Sequence, residues 1–127
     1  MSTKLRVLYS EDDPDSRDVM SLLLAHEGFD PVCPSSSQEA LKLARQGNFD
    51  IYLLDTWTPD ISGLDVCRRI REFDSQTPII FYSAAAFKAD IDAALAAGAQ
   101  AYITKPANPE EIISAIRSAT ASTVGNC

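Results

Sequence analysis

Apolar residues in this chain follow two alternating patterns. Short β-branched or aromatic runs are separated by stretches in which apolar positions recur every three or four residues. The runs at 5–10, 29–33, 51–54, 78–82 and 99–103 predict five strands, each bounded by polar or turn-forming residues. The third run is the clearest: it follows Asn48 and Asp50, stops at Asp55, and is closed off by Pro59 and Gly63.

The intervening stretches predict five helices. The first takes Asp13 as N-cap and Pro14 as first helical residue, presents Val19, Met20, Leu22 and Leu23 inward, and stops at Gly28. Ser36 and Glu39 match a capping box for the second, which turns Ala40, Leu41 and Ala44 inward and ends at Gly47. Ser62 and Asp65 suggest a second box, opening a helix whose inner face is Val66, Cys67, Ile70 and Phe73. In the fourth, 84–87 is ambiguous and only Ile91, Ala94 and Leu95 before Gly98 keep helical spacing. The fifth opens at Asn108 and Pro109, with Glu111 completing a box, and faces Ile112, Ile113, Ile116 and Ala119 inward. From Thr120 onward residues are small and polar, so one domain over 1–121 is expected, with 122–127 a flexible tail or the start of a linker.

Strands and helices alternating at this length argue for an α/β fold: a single doubly wound five-stranded parallel sheet with helices on both faces. Right-handed crossovers leave few topologies, and order 2-1-3-4-5 is the simplest. That order brings the C-terminal ends of strands 1, 3, 4 and 5 to one rim. Glu11, Asp12, Asp55, Ser83 and Lys105 stand there, where open parallel sheets bind ligands.

Composition narrows the chemistry. The chain has 127 residues, enough for one hydrophobic core. Eleven Lys and Arg against 18 Asp and Glu leave a net charge of −7, and no basic run is present to neutralise phosphates, so direct nucleic-acid binding is not expected. No apolar run reaches membrane-spanning length and the N-terminus lacks a signal-peptide layout, so a cytoplasmic protein without membrane contact is expected. Cys33, Cys67 and Cys127 are odd in number and share no metal-ligand spacing, which fits reduced thiols, Cys67 being helix core. His26, the only histidine, falls near the end of the first helix and reads as a dipole contact or an exposed residue.

Three carboxylates gathered on one rim repel by roughly 4 kcal/mol per close pair at an effective dielectric near 20, more than Lys105 alone offsets. A cation is therefore expected. Oxygen ligands without His or Cys favour a hard ion, and Mg²⁺ suits a site of two or three carboxylates plus a phosphoryl oxygen.

The strings RVLYSEDDPDSR, IYLLDTWTPDISGLDVCRRIR, PIIFYSA and AYITKP together resemble the acid pair, phosphoacceptor loop, Ser/Thr strand and Lys-Pro loop of the receiver domain of bacterial two-component response regulators, a flavodoxin-like fold. The resemblance spans nearly the whole chain. It implies that Asp55 accepts a phosphoryl group from the phosphohistidine of a sensor histidine kinase or phosphotransfer protein. Asp12 would be a direct Mg²⁺ ligand, Glu11 would act through water, and the backbone carbonyl of Trp57 would be the third protein ligand. Lys105 would pair with one phosphoryl oxygen and Ser83 would bond another. Tyr102 matches the aromatic that turns inward when Ser83 moves, and Ala84 keeps the small side chain that phosphoryl access needs. The surface near the fourth helix, fifth strand and fifth helix would then change and be read by a downstream protein target. The resemblance thus implies a phosphoacceptor that assists its own phosphorylation and dephosphorylation, not an enzyme acting on a separate substrate.

Two residues depart from the family pattern: Ser10 replaces an apolar residue before the acid pair, and Thr58 replaces the usual Met or Leu before Pro59. The fourth helix, fifth strand and fifth helix carry alanines and Gln100 where the family's DNA-binding members often pair through charged residues, so that dimer is not expected. Two other readings stay open. One is a small Mg²⁺-dependent aspartate-nucleophile phosphatase using Asp13 and Asp15, although no residues remain for a cap and Asp55 would have no role. The other is a receiver-like interaction module that is never phosphorylated.

Overall fold

The computed structural model describes residues 4–124, with side chains through residue 121. Strands β1 (Arg6–Ser10), β2 (Asp30–Val32), β3 (Ile51–Leu54), β4 (Ile79–Ser83) and β5 (Ala101–Thr104) alternate with helices α1 (Pro14–His26), α2 (Ser37–Gln46), α3 (Gly63–Phe73), α4 (Lys88–Ala96) and α5 (Pro109–Val124). All neighbouring strands pair in parallel, in the order β2-β1-β3-β4-β5.

Side chains alternate across each strand, and both faces are buried. Val7, Tyr9, Ile51, Leu53, Ile80 and Ile103 face a core completed by Met20 and Leu24 of α1 and Ile112, Ile113 and Ile116 of α5. Leu8, Tyr52, Leu54, Ile79 and Phe81 face the opposite core, against Ala40, Leu41 and Ala44 of α2, Val66, Cys67 and Ile70 of α3, and Ala94 of α4. The short edge strand β2 accommodates Pro31, as an edge position can.

The caps form largely as the sequence predicts. Asp13 accepts from the Ser16 amide at 2.9 Å, Ser36 from Glu39 at 3.1 Å, and Ser62 from Asp65 at 3.2 Å. The Glu39 carboxylate reaches back one residue further than a capping box requires, to the Ser35 amide. Arg71, on α3, donates from Nε and Nη2 to the Gly98 carbonyl, tying α3 to the turn before β5. Gly98 has φ +118°, and a side chain there would run into Arg71.

Several inward positions differ from expectation. On α1 the buried stripe is Met20 and Leu24, with Leu23 partly buried, while Val19 and Leu22 are 67% and 73% exposed. Leu22 lies two residues from both Met20 and Leu24, about 200° around the helix, so that stripe turns it outward. Phe73, at the last position of α3, is exposed and lies under the Arg45 guanidinium instead of packing inward. Leu95 is exposed, leaving Ala94 as the one fully buried residue of α4. α5 continues past Thr120, which is buried and bonds its hydroxyl to the Ile116 carbonyl at 2.8 Å, so its polarity is satisfied within the helix. Of the segment expected as a tail, residues 125–127, including Cys127, lie outside the described residues. Among the described residues no helix is long and apolar enough to cross a membrane.

Candidate functional site

β1, β3 and β5 end at the same rim and deliver Glu11, Asp55 and Lys105 to a single cluster. Lys105 Nζ lies 2.7 Å from Glu11 Oε1 and 3.1 Å from Asp55 Oδ2. The same ammonium sits over the Tyr82 ring, 5.1 Å from its centroid, at the end of the intervening β4. Both carboxylates are buried. Burial of unpaired charge is costly, so the shared cation is what allows the two to stand together.

Glu11 is the more firmly held. Besides Lys105 it accepts from the Tyr9 hydroxyl at 3.2 Å and the Asp13 amide at 3.2 Å. Burial pushes its pKa up, but Lys105 and the Asp13 amide outweigh burial and hold it well below the ordinary carboxylate range. Asp55 goes the other way: burial raises its pKa, and the Glu11 charge adds to burial against the opposing pull of Lys105. Glu11 has both the shorter contact to the ammonium and the added donation of the Asp13 amide. For Lys105 itself, burial is outweighed by the two carboxylates and its pKa rises.

Asp12 is exposed at the same loop. Its pKa is raised, first by desolvation and then by the neighbouring Glu11. Lys105 therefore neutralises more of the rim than expected, pairing with two carboxylates while the third faces solvent. Among the described residues no group of three or more His, Cys, Asp and Glu side chains is arranged to hold a metal ion. Asp12, Asp55 and the Trp57 carbonyl, the ligands that the sequence suggests, are nonetheless oxygen donors only, and Asp12 is exposed to water. Mg²⁺, which retains several waters and needs only one or two carboxylates, fits that set.

The remaining predicted residues line the loops after β3 and β4. Ser83 is buried, its Oγ accepting from the Ala85 amide at 3.1 Å. Tyr102 stacks on Phe81 with 5.7 Å between centroids, and its hydroxyl lies 3.3 Å from Thr56 Oγ1. Its hydroxyl thus reaches both loops, since it also donates to the Ala85 carbonyl. The Trp57 amide donates to Asp55 Oδ1 at 3.3 Å while its indole is exposed, lining with Ala84, Ala85, Ala86, Phe87 and Asp90 a cavity of about 490 Å³. Asp13, the alternative nucleophile, gives its carboxylate to capping α1 through Ser16.

Other residues of the site were not singled out from sequence. Gly63 opens α3 so close to the acceptor strand that a Cβ there would lie 1.9 Å from the Asp55 carbonyl oxygen. Its appearance directly after the Ser62 cap was the available signal. Arg17 Nη1, one turn into α1, donates to the carbonyls of Glu11 and Asp12 at 3.0 and 2.8 Å and braces the acid-pair loop. Tyr9, read only as strand core, supplies the hydroxyl on Glu11.

A family model described as the response regulator receiver domain matches residues 7–117. The uncharacterized transcriptional regulatory protein YkoG of Bacillus subtilis is 38% identical over 116 residues, covering 91% of this chain and 51% of that protein. The DNA-binding response regulator MtrA of Mycolicibacterium smegmatis is 35% identical over 112 residues, covering 88% of this chain and 49% of that protein. The chain thus spans about half the length of these curated relatives. A crystal structure of a CheY-like response regulator receiver domain protein from Methanospirillum hungatei superposes with a TM-score of 0.94 at 24% identity, covering 98% of this chain and 100% of that one. That relatives are named as DNA-binding leaves the expectation of no nucleic-acid contact, drawn from acidic charge, without support from them.

Proposed function

Because this chain belongs to the response regulator receiver domain family, we propose that Asp55 is its phosphoacceptor, charged by the phosphohistidine of a sensor histidine kinase or phosphotransfer protein. The observation that carries this reading is the Lys105 ammonium shared between Glu11 and Asp55, a cation already seated where phosphoryl oxygens would arrive. In the transfer the histidine N–P bond breaks and an Asp55 O–P bond forms. The loose transition state asks mainly for an in-line nucleophile and for positive charge on the equatorial oxygens. Lys105 supplies part of that charge, and its pairing with Asp55 passes to a phosphoryl oxygen.

Asp12, Asp55 and the Trp57 carbonyl would hold Mg²⁺, with Glu11 acting through water. When bound, the ion would neutralise developing charge on the phosphoryl oxygens. Ser83 would leave the Ala85 amide to bond a phosphoryl oxygen. Because Tyr102 also holds Ala85, that exchange would alter the loop before α4 and the surface of α4, β5 and α5. The domain is then a cytoplasmic switch whose state is read by a downstream protein, or by a further part of a longer protein.

Incubating the chain with Mg²⁺ and a small phosphodonor, then locating the acyl phosphate by mass spectrometry, tests the reading. Label at Asp55 that is lost in Asp55→Asn is the expected result. Label at Asp13 would favour the phosphatase, and none at all would favour an unphosphorylated interaction module.

A further inference from the structure

The loop between β3 and α3 is latched to the start of α2 by side chains that none of the proposed phosphoryl chemistry uses. Asp60 accepts from the amides of Ser37 at 3.2 Å and Gln38 at 2.9 Å, so a carboxylate from one loop caps another helix. Ser37, fully buried, places its Oγ 2.8 Å from Thr58 Oγ1 and 2.8 Å from the Ile61 carbonyl. Thr58 also donates to that carbonyl. Two hydroxyl protons thus serve three contacts, closing a polar triangle between residues 37, 58 and 61.

This latch grips one end of a short loop whose other end is fixed independently. The Gly63 amide donates to the Thr56 carbonyl at 2.9 Å, and the backbone of Gly63 leaves no room to move toward Asp55. Thr56 is further held by Tyr102. Trp57 therefore lies between two immobilised neighbours, Thr56 and Thr58, and its indole, largely exposed, does little to orient its backbone. Its amide is held by Asp55, and its carbonyl leads directly into the latched Thr58.

We infer that Asp60, Ser37 and Thr58 are positioning residues for the cation site, acting through the Trp57 carbonyl and tying cation affinity to the N-terminus of α2. The inference rests on the reading of Asp12, Asp55 and Trp57 as the Mg²⁺ site. It gives Thr58 a role as the hydroxyl partner of Ser37, where the family pattern has an apolar residue. Groups that orient ligands without touching the metal commonly carry much of its affinity.

The test is a Mg²⁺ titration of the full 127-residue chain at fixed ionic strength, read by Trp57 fluorescence, with thermal unfolding run in parallel. Thr58→Val removes the hydroxyl without changing charge or bulk and is expected to weaken Mg²⁺ by about tenfold. Thr58→Ser keeps the hydroxyl and is expected to restore affinity close to wild type. Asp60→Asn, which cannot accept at both oxygens, is expected to weaken it as Thr58→Val does. Thr58→Val and Asp60→Asn binding Mg²⁺ as wild type, or losing affinity only in proportion to unfolding, would overturn the inference. If wild type and Asp12→Asn respond to Mg²⁺ alike, the cation site itself is misassigned and the inference falls with it. If wild type binds through Asp12 but the latch variants are silent, only the latch fails.

Discussion

The Tyr102 hydroxyl donates a 2.5 Å hydrogen bond to the carbonyl of Ala85, two residues beyond Ser83. Ser83 holds the amide of the same residue, so Ala85 is gripped at both its amide and its carbonyl by the two residues assigned to the switch. Neither can change partners without releasing a constraint on the loop that leads into α4.

Tyr102→Phe keeps the stack on Phe81 but leaves the Ala85 carbonyl without its donor. The loss is expected to be about 1 kcal/mol of stability. Amides 84–87 should exchange faster with deuterium, while phosphorylation of Asp55 stays near wild type. Unchanged exchange in that loop would show that the hydroxyl does not restrain it.

Lys105→Met leaves Glu11 and Asp55 facing each other without their shared cation. Without Mg²⁺ the variant is expected to lose on the order of 2 kcal/mol, less than a fully buried pair would cost because Lys105 is partly exposed. Mg²⁺ is expected to raise the unfolding temperature of the variant by more than that of wild type, since it replaces the missing charge. The phosphorylated variant should nevertheless fail to alter partner binding. Thermal unfolding with and without Mg²⁺ measures the first effect, and partner titration the second.

How far the molecule was legible depends on the range of the forces involved. Asp55 and Lys105 could be found because strand ends in a parallel sheet share a rim, a global consequence of local pattern. The α1 face was misread because Val19 and Leu22 are as apolar as Met20 and Leu24, and only docking decides which stripe turns inward. Thr120 was read as the helix end because its polarity suggested solvent, whereas its hydroxyl is satisfied by the preceding turn. Gly63 and the Ser37, Thr58 and Asp60 contacts were invisible for a different reason. They join segments 21 to 24 residues apart, or reflect the approach of two backbones, and neither leaves a periodic trace.

Gly63→Ala is the sharpest test of that close approach. A methyl group would lie 1.9 Å from the Asp55 carbonyl oxygen, so either α3 or the acceptor strand must shift. A loss of about 2 kcal/mol or more in denaturant unfolding is expected, with slower phosphorylation of the fraction that folds. A variant as stable and as reactive as wild type would mean that the helix start moves freely.

Asp74 supplies a pH dependence remote from the acceptor. Its carboxylate accepts from the Gln76 and Thr77 amides at 3.0 Å and from the Tyr52 hydroxyl at 3.3 Å. Burial raises its pKa, but these donors outweigh burial and lower it. A depressed folded-state pKa means that the contribution is complete above the unfolded value, about 3.9, and is lost as pH falls through the folded value. Asp74→Asn is therefore expected to cost less than about 1 kcal/mol at pH 7, given its exposure, and to approach wild type in stability below about pH 4. Urea unfolding of both proteins across that range measures the convergence.

The lifetime of the phosphoryl group is expected to depend on Trp57 and Ala85, the residues two beyond Asp55 and two beyond Ser83. Receivers that dephosphorylate quickly tend to carry polar side chains at these two places, able to position the attacking water. Here both line one cavity, and neither offers a side-chain acceptor for water, since alanine has no polar group and the indole only one donor. The indole is 66% exposed and belongs to the residue two beyond the acceptor, where its bulk is expected to hinder water without holding it in place. Hydrolysis is expected to be slow. Trp57→Asn supplies a side chain that can hydrogen-bond water and opens the cavity, so label should leave purified phosphorylated protein faster in Mg²⁺. Ala85→Glu adds an acceptor, but from a position only 9% exposed whose backbone is held at both ends, so part of its effect will be displacement of the loop. The single Trp57 variant is therefore the cleaner measurement, and the double variant should be faster still. Equal decay in wild type, Trp57→Asn and the double variant would show that these side chains do not set the timer.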